Sequence, residues 1–315
     1  MLAYSGDVVF SLIKGDRIRA DVLLSSILDI SRTRVQRNIL NENFILNGQK
    51  IIKNSYNRFF KKDLIEFEVD PLEEVSVDPE KIDLEIIFEN DFFLVVNKPA
   101  GLVVHPGAGH SSGTLINGIL YHLSLTDNVR GLLRAGLVHR IDKDTSGLLV
   151  VAKTPDSFEE LANMFSQHDI DREYLCLAGG KLRKKKGVIA TFHGRDPKNR
   201  LRFSPDVRNG RRAVTHYEVT DELPFASVVS LKLETGRTHQ IRMHMKHLGH
   251  PIVNDTLYGG TTKTSDKCLN VLLSKSGRQL LHAGVLGFKV FGTEYCFKVE
   301  LPSDMRVIMD YLISL

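Results

Sequence analysis

The chain has 315 residues, of which 42% are hydrophobic, and a formal net charge of +4 at pH 7, so a large core is expected and division into two domains is favoured over disorder. Its three cysteines contain no Cys-x-x-Cys pair, which argues against a disulfide framework or a zinc ribbon and favours the cytoplasm. The apolar runs are far shorter than the roughly 20 residues of a membrane-spanning helix, and no membrane association is expected.

Residues 14–62 form a basic segment, with 11 Lys or Arg against 4 Asp or Glu. Apolar residues at helical spacing predict one helix over residues 20–30 and a second over residues 32–40, with Ser31 as its N-cap. On the second helix, three apolar residues are expected to face the core: Val35, Ile39 and Leu40. Four basic residues of this segment are predicted to contact RNA: Arg32, Arg34, Arg37 and Lys50.

A hairpin is predicted next, because Asn47-Gly48 stands between two apolar runs. Two small helices followed by a hairpin resemble the RNA-binding domain named after ribosomal small-subunit protein four, over residues 14–75. That family often carries glycine in the turn before the hairpin, where this chain has Asn41-Glu42-Asn43. Asparagine is expected to supply the positive φ there.

The charge balance then inverts, and Lys81 is the only base among the acidic residues of segment 73–91. Residues 76–90 are therefore predicted to be an acidic linker that leads into a catalytic domain over residues 91–315.

Within this second domain, short strands are predicted at 84–88, 92–97 and 147–153, and helices at 114–122 and 156–167. Strands and helices do not alternate regularly. An α+β fold on a mixed, largely antiparallel sheet is therefore expected, and a doubly wound parallel sheet is not.

A second basic stretch, residues 172–212, has 13 Lys or Arg against 3 Asp or Glu. A single charge run is most often a solvated face. Two such runs, each beside a motif, favour a long polyanion as partner. Within the second run, Arg195 stands in a turn-rich basic loop and is predicted to contact phosphates.

The segment His139-Arg140-Ile141-Asp142-Lys143-Asp144-Thr145-Ser146-Gly147 is a polar loop that comes directly before an apolar strand. Loops on a rigid scaffold often carry catalytic groups. An aspartate flanked by Arg140 and Lys143 is expected to stay ionised at neutral pH and can act as a nucleophile. From these residues alone a second interpretation is equally supported, in which Asp142 and Asp144 only shape the turn.

The same segment resembles the catalytic signature of the pseudouridine synthases of the RluA/RluD type, and the D-type is the most similar. Further motifs follow in that family's order: Asn97-Lys98-Pro99, His105-Pro106-Gly107, Arg172-Glu173-Tyr174, Ala213-Val214-Thr215 and residues 235–242, which read TGRTHQIR. The resemblance spans most of residues 90–285 and implies a cofactor-free isomerase that converts uridine to pseudouridine, with large-subunit ribosomal RNA as the substrate class.

By the resemblance, Asp142 is the catalytic carboxylate, attacking the sugar or the base, or taking a sugar proton. Arg140 is placed to enter the RNA or to contact the flipped nucleotide. Tyr174 is implied to lie against the base and to help deprotonate its carbon five. Read without the family, Tyr174 would be an ordinary strand residue.

Two arginines of the 235–242 motif could pair with Asp142. A guanidinium holds a carboxylate in two-point geometry, and Arg242 is chosen over Arg237, although an exchange of the two roles stays open. Four further residues are assigned to RNA contacts: His139, Arg237, His239 and Gln240.

The histidines at 239, 244, 247 and 250 crowd one segment, but they show no His-Glu-x-x-His pattern and no neighbouring cysteine. No metal is therefore predicted. The resemblance implies no cofactor and RNA as the partner, and a monomer is expected. Two other function classes are set against the isomerase: a catalytically silent RNA-binding protein and a hydrolase that uses Asp142 and Asp144.

Overall fold

A computed structural model describes residues 4–9, 17–28, 32–50, 56–58, 64–69, 77–107, 110, 112–124, 136–205 and 207–315. The chain divides into two compact units, residues 1–75 and residues 76–315. Within the described residues, no helix has the length and apolar character needed to cross a membrane.

Unit one consists of short strands and two helices. The described elements are β1 (Tyr4–Val9), β2 (Arg17–Arg19), α1 (Ala20–Leu28), α2 (Arg32–Leu40), β3 (Phe44–Leu46), β4 (Gln49–Lys50), β5 (Tyr56–Arg58) and β6 (Leu64–Val69). One sheet has the order β1-β6-β3-β4, and β2 pairs with β5. Apolar residues of both helices and of β3 and β6 share one buried cluster.

The two predicted helices of this unit are confirmed, and Val35 and Ile39 are buried in its core. The prediction for Leu40 is wrong, because its side chain is 74% exposed. Leu40 follows Ile39 and therefore points about 100° further round the helix. The proposed N-cap Ser31 and the side chains of Arg34 and Lys50 lie outside the described residues.

The predicted hairpin joins β3 to β4, and Asn47 and Gly48 both have positive φ, of 49° and 76°. A two-residue turn of this kind needs a positive φ at both positions. In the preceding turn, the positive φ of 59° belongs to Glu42 and not to an asparagine, which corrects the prediction.

Asp21 of α1 is fully buried and joins β2, α1 and α2. Its carboxylate accepts hydrogen bonds from Arg19 at 2.8 Å, Arg32 at 3.0 Å and Gln36 at 2.5 Å. The hydrogen bond from Arg19 is the main reason that the pKa of Asp21 lies well below its usual range. Arg32, predicted as an RNA contact, is thus an ion-pair partner in the packing of the helices.

Unit two is built on one large sheet. Its elements are β7 (Glu85–Glu89), β8 (Phe93–Lys98), α3 (Leu115–Ser124), β9 (Gly136–Leu137), β10 (Ser146–Ala152), α4 (Pro155–Gln167), β11 (Asp171–Gly179), β12 (Lys186–Arg195), β13 (Phe203–Ser204), β14 (Arg211–Leu223), β15 (Ala226–Leu233), α5 (Gln240–His247), α6 (Lys267–Ser276), β16 (Leu281–Val290), β17 (Thr293–Lys298) and α7 (Ser303–Ile313).

The strand order is β13-β12-β14-β15-β11-β16-β10-β8-β7, with β17 beside β16 and β9 beside β10. The pairing of β10 with β16 is parallel, and the other described pairings of this sheet are antiparallel. The predicted α+β fold on a mixed, largely antiparallel sheet is confirmed.

Both faces of the sheet are buried at β8 and β10, where successive side chains point to opposite faces and nearly all are buried. In β8, Leu94 and Val96 pack in a cluster with α3 and α5, whereas Phe93 and Val95 pack on the opposite face with α4. The catalytic-signature loop between β9 and β10 is therefore held by a scaffold that is packed from both sides.

Residues 77–89, predicted to belong to an acidic linker, pack as part of unit two. Strand β7 pairs with β8 at the edge of the sheet. The Asn117 side chain donates to the Asp78 carbonyl at 2.8 Å, and the Gly113 amide donates to the Glu80 carboxylate at 3.0 Å. Here, the proline and the acidic residues therefore belong to an edge strand and to the segment that precedes it in the chain.

Three buried histidines of unit two predict a loss of stability in acid. Burial lowers the pKa of His193 and His282 to about 4 and that of His244 to about 3. Between pH 6.5 and 4 the unfolded chain binds protons on these residues that the folded chain does not. As the pH is lowered through that window, the free energy of unfolding is therefore expected to decrease by about 1.4 kcal/mol per pH unit for each such proton.

Urea unfolding followed by circular dichroism at pH 7.5, 6.5, 5.5 and 4.5 measures this slope. His244→Gln is expected to flatten it, because this substitution removes one of the three buried imidazoles. A stability that does not vary over this range would contradict the prediction.

Candidate active site

A cleft of about 990 Å³ opens beside the β9–β10 loop. It is lined by residues 137–142 of this loop, by Arg172 and Tyr174 of β11 and by residues 236–242 at the start of α5. Segments far apart in sequence thus converge on one cavity, as enzyme sites commonly do.

The loop ends in a glycine that the strand pairing requires. Gly147 has a φ of 119°, and a Cβ atom there would lie 2.2 Å from the carbonyl oxygen of Ala283. This close approach is where β10 runs parallel to β16. The glycine therefore fixes the point at which the loop becomes a buried strand.

Lys98 fixes the backbone of the β9–β10 loop through hydrogen bonds. Its side chain is fully buried, and Nζ donates to the carbonyl oxygens of Pro99, Leu102 and Lys143 at 2.7 to 2.9 Å. The amide of Gly101 donates to the same Lys143 carbonyl at 3.0 Å. Burial lowers the pKa of Lys98 to about 7, and its three hydrogen bonds fix the backbone next to Asp142.

Asp142 is paired with Arg242 across the cleft. Arg242 Nη1 donates to Asp142 Oδ2 at 3.0 Å, while its Nε and Nη2 donate to the two oxygens of Asp255 at 2.7 and 2.9 Å. The guanidinium lies over the ring of Tyr258, with 5.2 Å between Cζ and the ring centroid. Asp255 and Tyr258 therefore fix Arg242, and Arg242 fixes one oxygen of Asp142.

The surroundings keep Arg242 charged. Burial lowers the pKa of Arg242, but the hydrogen bonds and negative charges of Asp255 and Asp142 outweigh burial and raise it above its ordinary value. Arg237, the other candidate, is half-buried, and its Nε donates to the Arg212 carbonyl at 3.4 Å. Of the two motif arginines, Arg242 is the one that contacts Asp142.

Tyr174 lines the same cleft and is 8% exposed. Burial raises the pKa of its hydroxyl above the usual value; the positive charge of Arg172 opposes this effect and the negative charge of Asp142 adds to it. The structure therefore brings Asp142, Tyr174 and Arg242 to one cavity.

His239 stands before α5 in a left-handed conformation, with a φ of 56°. Its Nε2 lies 3.9 Å from Asp142 Oδ2, and its Nδ1 is 3.1 Å from the hydroxyl of Tyr258. Burial lowers the pKa of His239, with Asp142 opposing the effect. The ring thus lies between the carboxylate and Tyr258 at the wall of the cleft.

Gln240 differs from its predicted role as an RNA contact. It is 3% exposed, its Nε2 donates to Val214 O and Thr215 Oγ1, and its Oε1 accepts from Thr235 Oγ1 and the Arg237 amide. All four bonds stay within the protein. Its side chain ties the motif loop to β14 and is not free to contact RNA.

His139 also contacts protein. Its Nε2 accepts a hydrogen bond from the Val150 amide at 3.0 Å, and its ring stacks on Phe165 with centroids 4.3 Å apart. Burial lowers the pKa of His139 to about 3, so it is neutral at physiological pH. These contacts position the loop; the ring borders the cleft without a charge to offer phosphate.

The two arginines expected to meet RNA near the site are exposed. Arg140 follows His139 at the cleft, and Arg195 lies over the Phe203 ring at 4.5 Å. Phe203 in turn stacks on His193 and meets the edge of His239. In unit one, the exposed Arg37 is on α2.

Asp142 and Asp144 face different cavities. Asp144 borders a second cavity of about 560 Å³ with Lys98 and Arg278, whereas Asp142 faces the larger cleft. Two carboxylates must flank one bond in a glycosidase. This placement argues against the hydrolase that would use both.

Sequence reasoning missed two partners of the site. Asp255 and Tyr258 lie after α5, and nothing local to the motif marks them, because their contacts with Arg242 form only on folding. The sequence signal that remains is a glycine, Gly260, five residues after Asp255, which is compatible with a tight turn. In the structure the Gly260 amide donates to the Asp255 carbonyl, and a Cβ on Gly260 would lie 1.9 Å from Ile252 O. This tight turn places Asp255 beneath the arginine.

Comparison with known proteins agrees with this geometry. The family model described as RNA pseudouridylate synthase matches residues 92–247. An uncharacterized RNA pseudouridine synthase of Bacillus subtilis (strain 168) is 40% identical over 292 residues, which are 92% of this chain and 92% of that protein. Ribosomal large subunit pseudouridine synthase D of Zymomonas mobilis is 39% identical over 301 residues, 93% of each chain.

Among solved structures, human RNA pseudouridylate synthase domain containing 4 is similar in fold, with a TM-score of 0.58 and 23% sequence identity. The match covers 73% of this chain and 93% of that chain.

Proposed function

The chain belongs to the RNA pseudouridylate synthase family and is an isomerase of uridine in RNA, and we propose that it modifies large-subunit ribosomal RNA with Asp142 as its catalytic carboxylate. The observation that carries the proposal is the pairing of Asp142 with Arg242 at 3.0 Å inside the cleft that Tyr174 also lines. The relatives named synthase D support the ribosomal substrate.

The reaction needs a positioned carboxylate and no cofactor. The bond between N1 of uracil and C1′ of ribose breaks, the ring turns, and C5 bonds to C1′; C5 loses its proton and N1 gains one. Arg242 contacts Oδ2 of Asp142, and within the described residues Oδ1 accepts no hydrogen bond. One oxygen is thus fixed and the other is available to the nucleotide, whether Asp142 attacks or takes a sugar proton.

The target uridine must leave its stack to reach Asp142, at a cost of a few kcal/mol. Arg140 is exposed beside the cleft and is assigned either to fill the space that the flipped nucleotide leaves in the RNA or to contact that nucleotide. Tyr174 is assigned to the face of the base, where an aromatic contact contributes about 1–3 kcal/mol, and to deprotonation of C5.

A silent RNA-binding relative is disfavoured. Such a protein has no need of Asp142, Tyr174 and a charged Arg242 in one cavity. Arg195, Arg237 and His239 border or approach the same cleft and are assigned to the RNA around the target.

Residues 14–75 are proposed to be an RNA-binding module like that of ribosomal small-subunit protein four. Two helices followed by a hairpin support this, with the exposed Arg37 on α2 and the partly exposed Arg32 among the candidate contacts. Arg34 and Lys50 are assigned to the same surface from sequence alone. We further propose that the protein works as a monomer in the cytoplasm, which suits its free cysteines.

Deleting residues 1–75 is expected to weaken RNA binding more than the chemical step, because phosphate contacts dominate affinity and its dependence on salt. Filter binding across salt concentrations gives the affinity and slope, and single-turnover assays at saturating protein give the rate. The melting curve of the shortened chain serves as the folding control. An unchanged affinity and slope would remove the role assigned to this module.

The function itself is tested with large-subunit ribosomal RNA tritiated at uridine C5. The purified protein is expected to release tritium to water, and pseudouridines mapped with and without the protein identify the positions. Failure to release tritium from this RNA, together with release from transfer RNA, would replace the proposed substrate.

A further inference from the structure

Arg172 of β11 is a buried cation that has no counter-charge among the described residues. It is 6% exposed, and its Nε and Nη2 are buried without a hydrogen-bond partner. The contact that the structure shows for its guanidinium is with the ring of Phe165, at 5.4 Å from Cζ to the centroid. Buried arginines elsewhere in the unit are paired, Arg242 with Asp255 and Arg278 with Asp304.

An unpaired buried charge is costly to a folded protein. Burial accordingly lowers the pKa of Arg172, although the nearby Tyr174 opposes the effect. A guanidinium nevertheless stays protonated in proteins. Arg172 is therefore a buried positive charge, and its Nε and Nη2 have no acceptor among the described residues. A bound substrate can supply one.

Arg172 is one of the residues that line the catalytic cleft. Arg172, Tyr174 and Asp142 line the same cavity. Gly236 lies directly beside the guanidinium and leaves the room that it occupies, since a Cβ there would lie 2.6 Å from Arg172 Nη1. The guanidinium of Arg172 in the β11 motif thus occupies a position that only a glycine at residue 236 of the 235–242 motif leaves free.

Arg172 is more deeply buried than two other arginines that are assigned to RNA near the cleft. Arg140 and Arg195 are exposed, where a backbone passing the mouth of the cleft can reach them. Arg172 is buried beside Tyr174, which is assigned to the base. A flipped uracil brings two carbonyl oxygens, O2 and O4, into this part of the cavity.

We propose that Arg172 donates hydrogen bonds to a carbonyl oxygen of the flipped uracil and stabilises the negative charge of the base while it is detached. The inference rests on the proposed function. When the C1′–N1 bond breaks, its electron pair stays with the uracil, and the charge spreads over N1, O2 and O4. The charge disappears when C5 bonds to C1′, C5 releases its proton and N1 takes one up, so Arg172 is unchanged at the end.

The first test is Arg172→Met in single-turnover tritium release. Removing one donor aimed at a developing negative charge costs about 10²–10³-fold in rate, and this loss is expected with RNA affinity changed less than about threefold. Arg172→Lys keeps the charge without the fork and is expected to fall between wild type and Arg172→Met. A full rate in Arg172→Met overturns the inference, as does weaker RNA binding with a lower salt slope at unchanged rate, which would indicate a phosphate contact.

The second test locates the contact on the base. RNA carrying 2-thiouridine or 4-thiouridine at the target, tritiated at C5, replaces one oxygen by a weaker acceptor. One of the two is expected to slow the wild type and to cause no further slowing in Arg172→Met. Equal slowing of both proteins by both analogues overturns the contact.

The third test compares melting temperatures and asks whether Arg172 serves only to stabilise the fold. Arg172→Met removes a buried charge that has no counter-charge in the part of the chain that the structure describes, and the melting temperature is expected to stay the same or to rise. Arg278→Met breaks a buried pair and is expected to lower it. A fall in Arg172→Met as large as in Arg278→Met overturns the inference. Absence of tritium release by the wild type would instead reject the proposed function.

Discussion

Replacing Asp142 with asparagine is expected to lower the rate of tritium release by at least about 10⁴-fold, within the range seen when an enzyme loses its nucleophile. Asparagine keeps the shape of the side chain but not its charge or basicity. Arg242 remains paired with Asp255 at 2.7 and 2.9 Å, so no buried charge is left alone. The melting temperature and the affinity for RNA are therefore expected to change little, and the loss falls on the chemical step.

Asp144→Asn provides the matched control. It makes the same substitution two residues along the same loop, at a carboxylate that borders the second cavity. Its rate is expected to stay within a few-fold of wild type. If Asp144→Asn lost as much activity as Asp142→Asn, or if Asp142→Asn kept its rate, the carboxylate assigned to catalysis would be wrong.

The parts of the fold predicted from sequence are those fixed by local chemistry. Asn47-Gly48 specifies its turn, and the apolar spacing of α2 specifies Val35 and Ile39 as core residues. For residues 77–89 composition alone leaves two structures open, because charge and proline are typical of an exposed edge strand as well as of a linker. What distinguishes the two is the pairing of β7 with β8, a contact that composition does not encode.

In the site, too, local motifs predict some residues correctly, whereas contacts that form on folding could not be predicted. The motifs supplied Asp142, Tyr174 and Arg242, which the structure brings to one cleft. Gln240 belongs to the same motif yet is buried with both ends of its amide bonded, so motif membership did not separate contact with RNA from support of the loop. Neither the position of Asp255 against Arg242 nor the absence of a partner for Arg172 among the described residues can be read from sequence, since both depend on which side chains meet after folding.

Replacing Arg242 with methionine is expected to cost both stability and activity. Asp255 is fully buried, and Arg242 supplies two hydrogen bonds to its carboxylate. Breaking a buried pair by removing one partner destabilises a protein by about 3–5 kcal/mol, because the other charge is left uncompensated. Tritium release is expected to fall as well, since Asp142 loses the group that fixes Oδ2. Urea unfolding and single-turnover rates measure the two effects.

Arg237→Met is the control for the motif, because Arg237 contacts neither Asp142 nor Asp255 in the described structure. It is expected to keep the wild-type stability and, where it meets RNA, to change only affinity. An exchange of roles between the two arginines would reverse these outcomes: Arg237→Met would then lose the chemical step while Arg242→Met kept it.

The double variant Arg242→Met with Asp255→Asn separates the two functions of the arginine. Neutralising Asp255 removes the buried charge that Arg242→Met leaves unpaired, and part of the lost stability is expected to return. Activity is not expected to return, because Asp142 still lacks its partner. Recovery of both together would mean that Arg242 acts only by holding the fold; recovery of stability alone would show that Asp255 serves to fix Arg242 and that Arg242 serves to position the catalytic carboxylate.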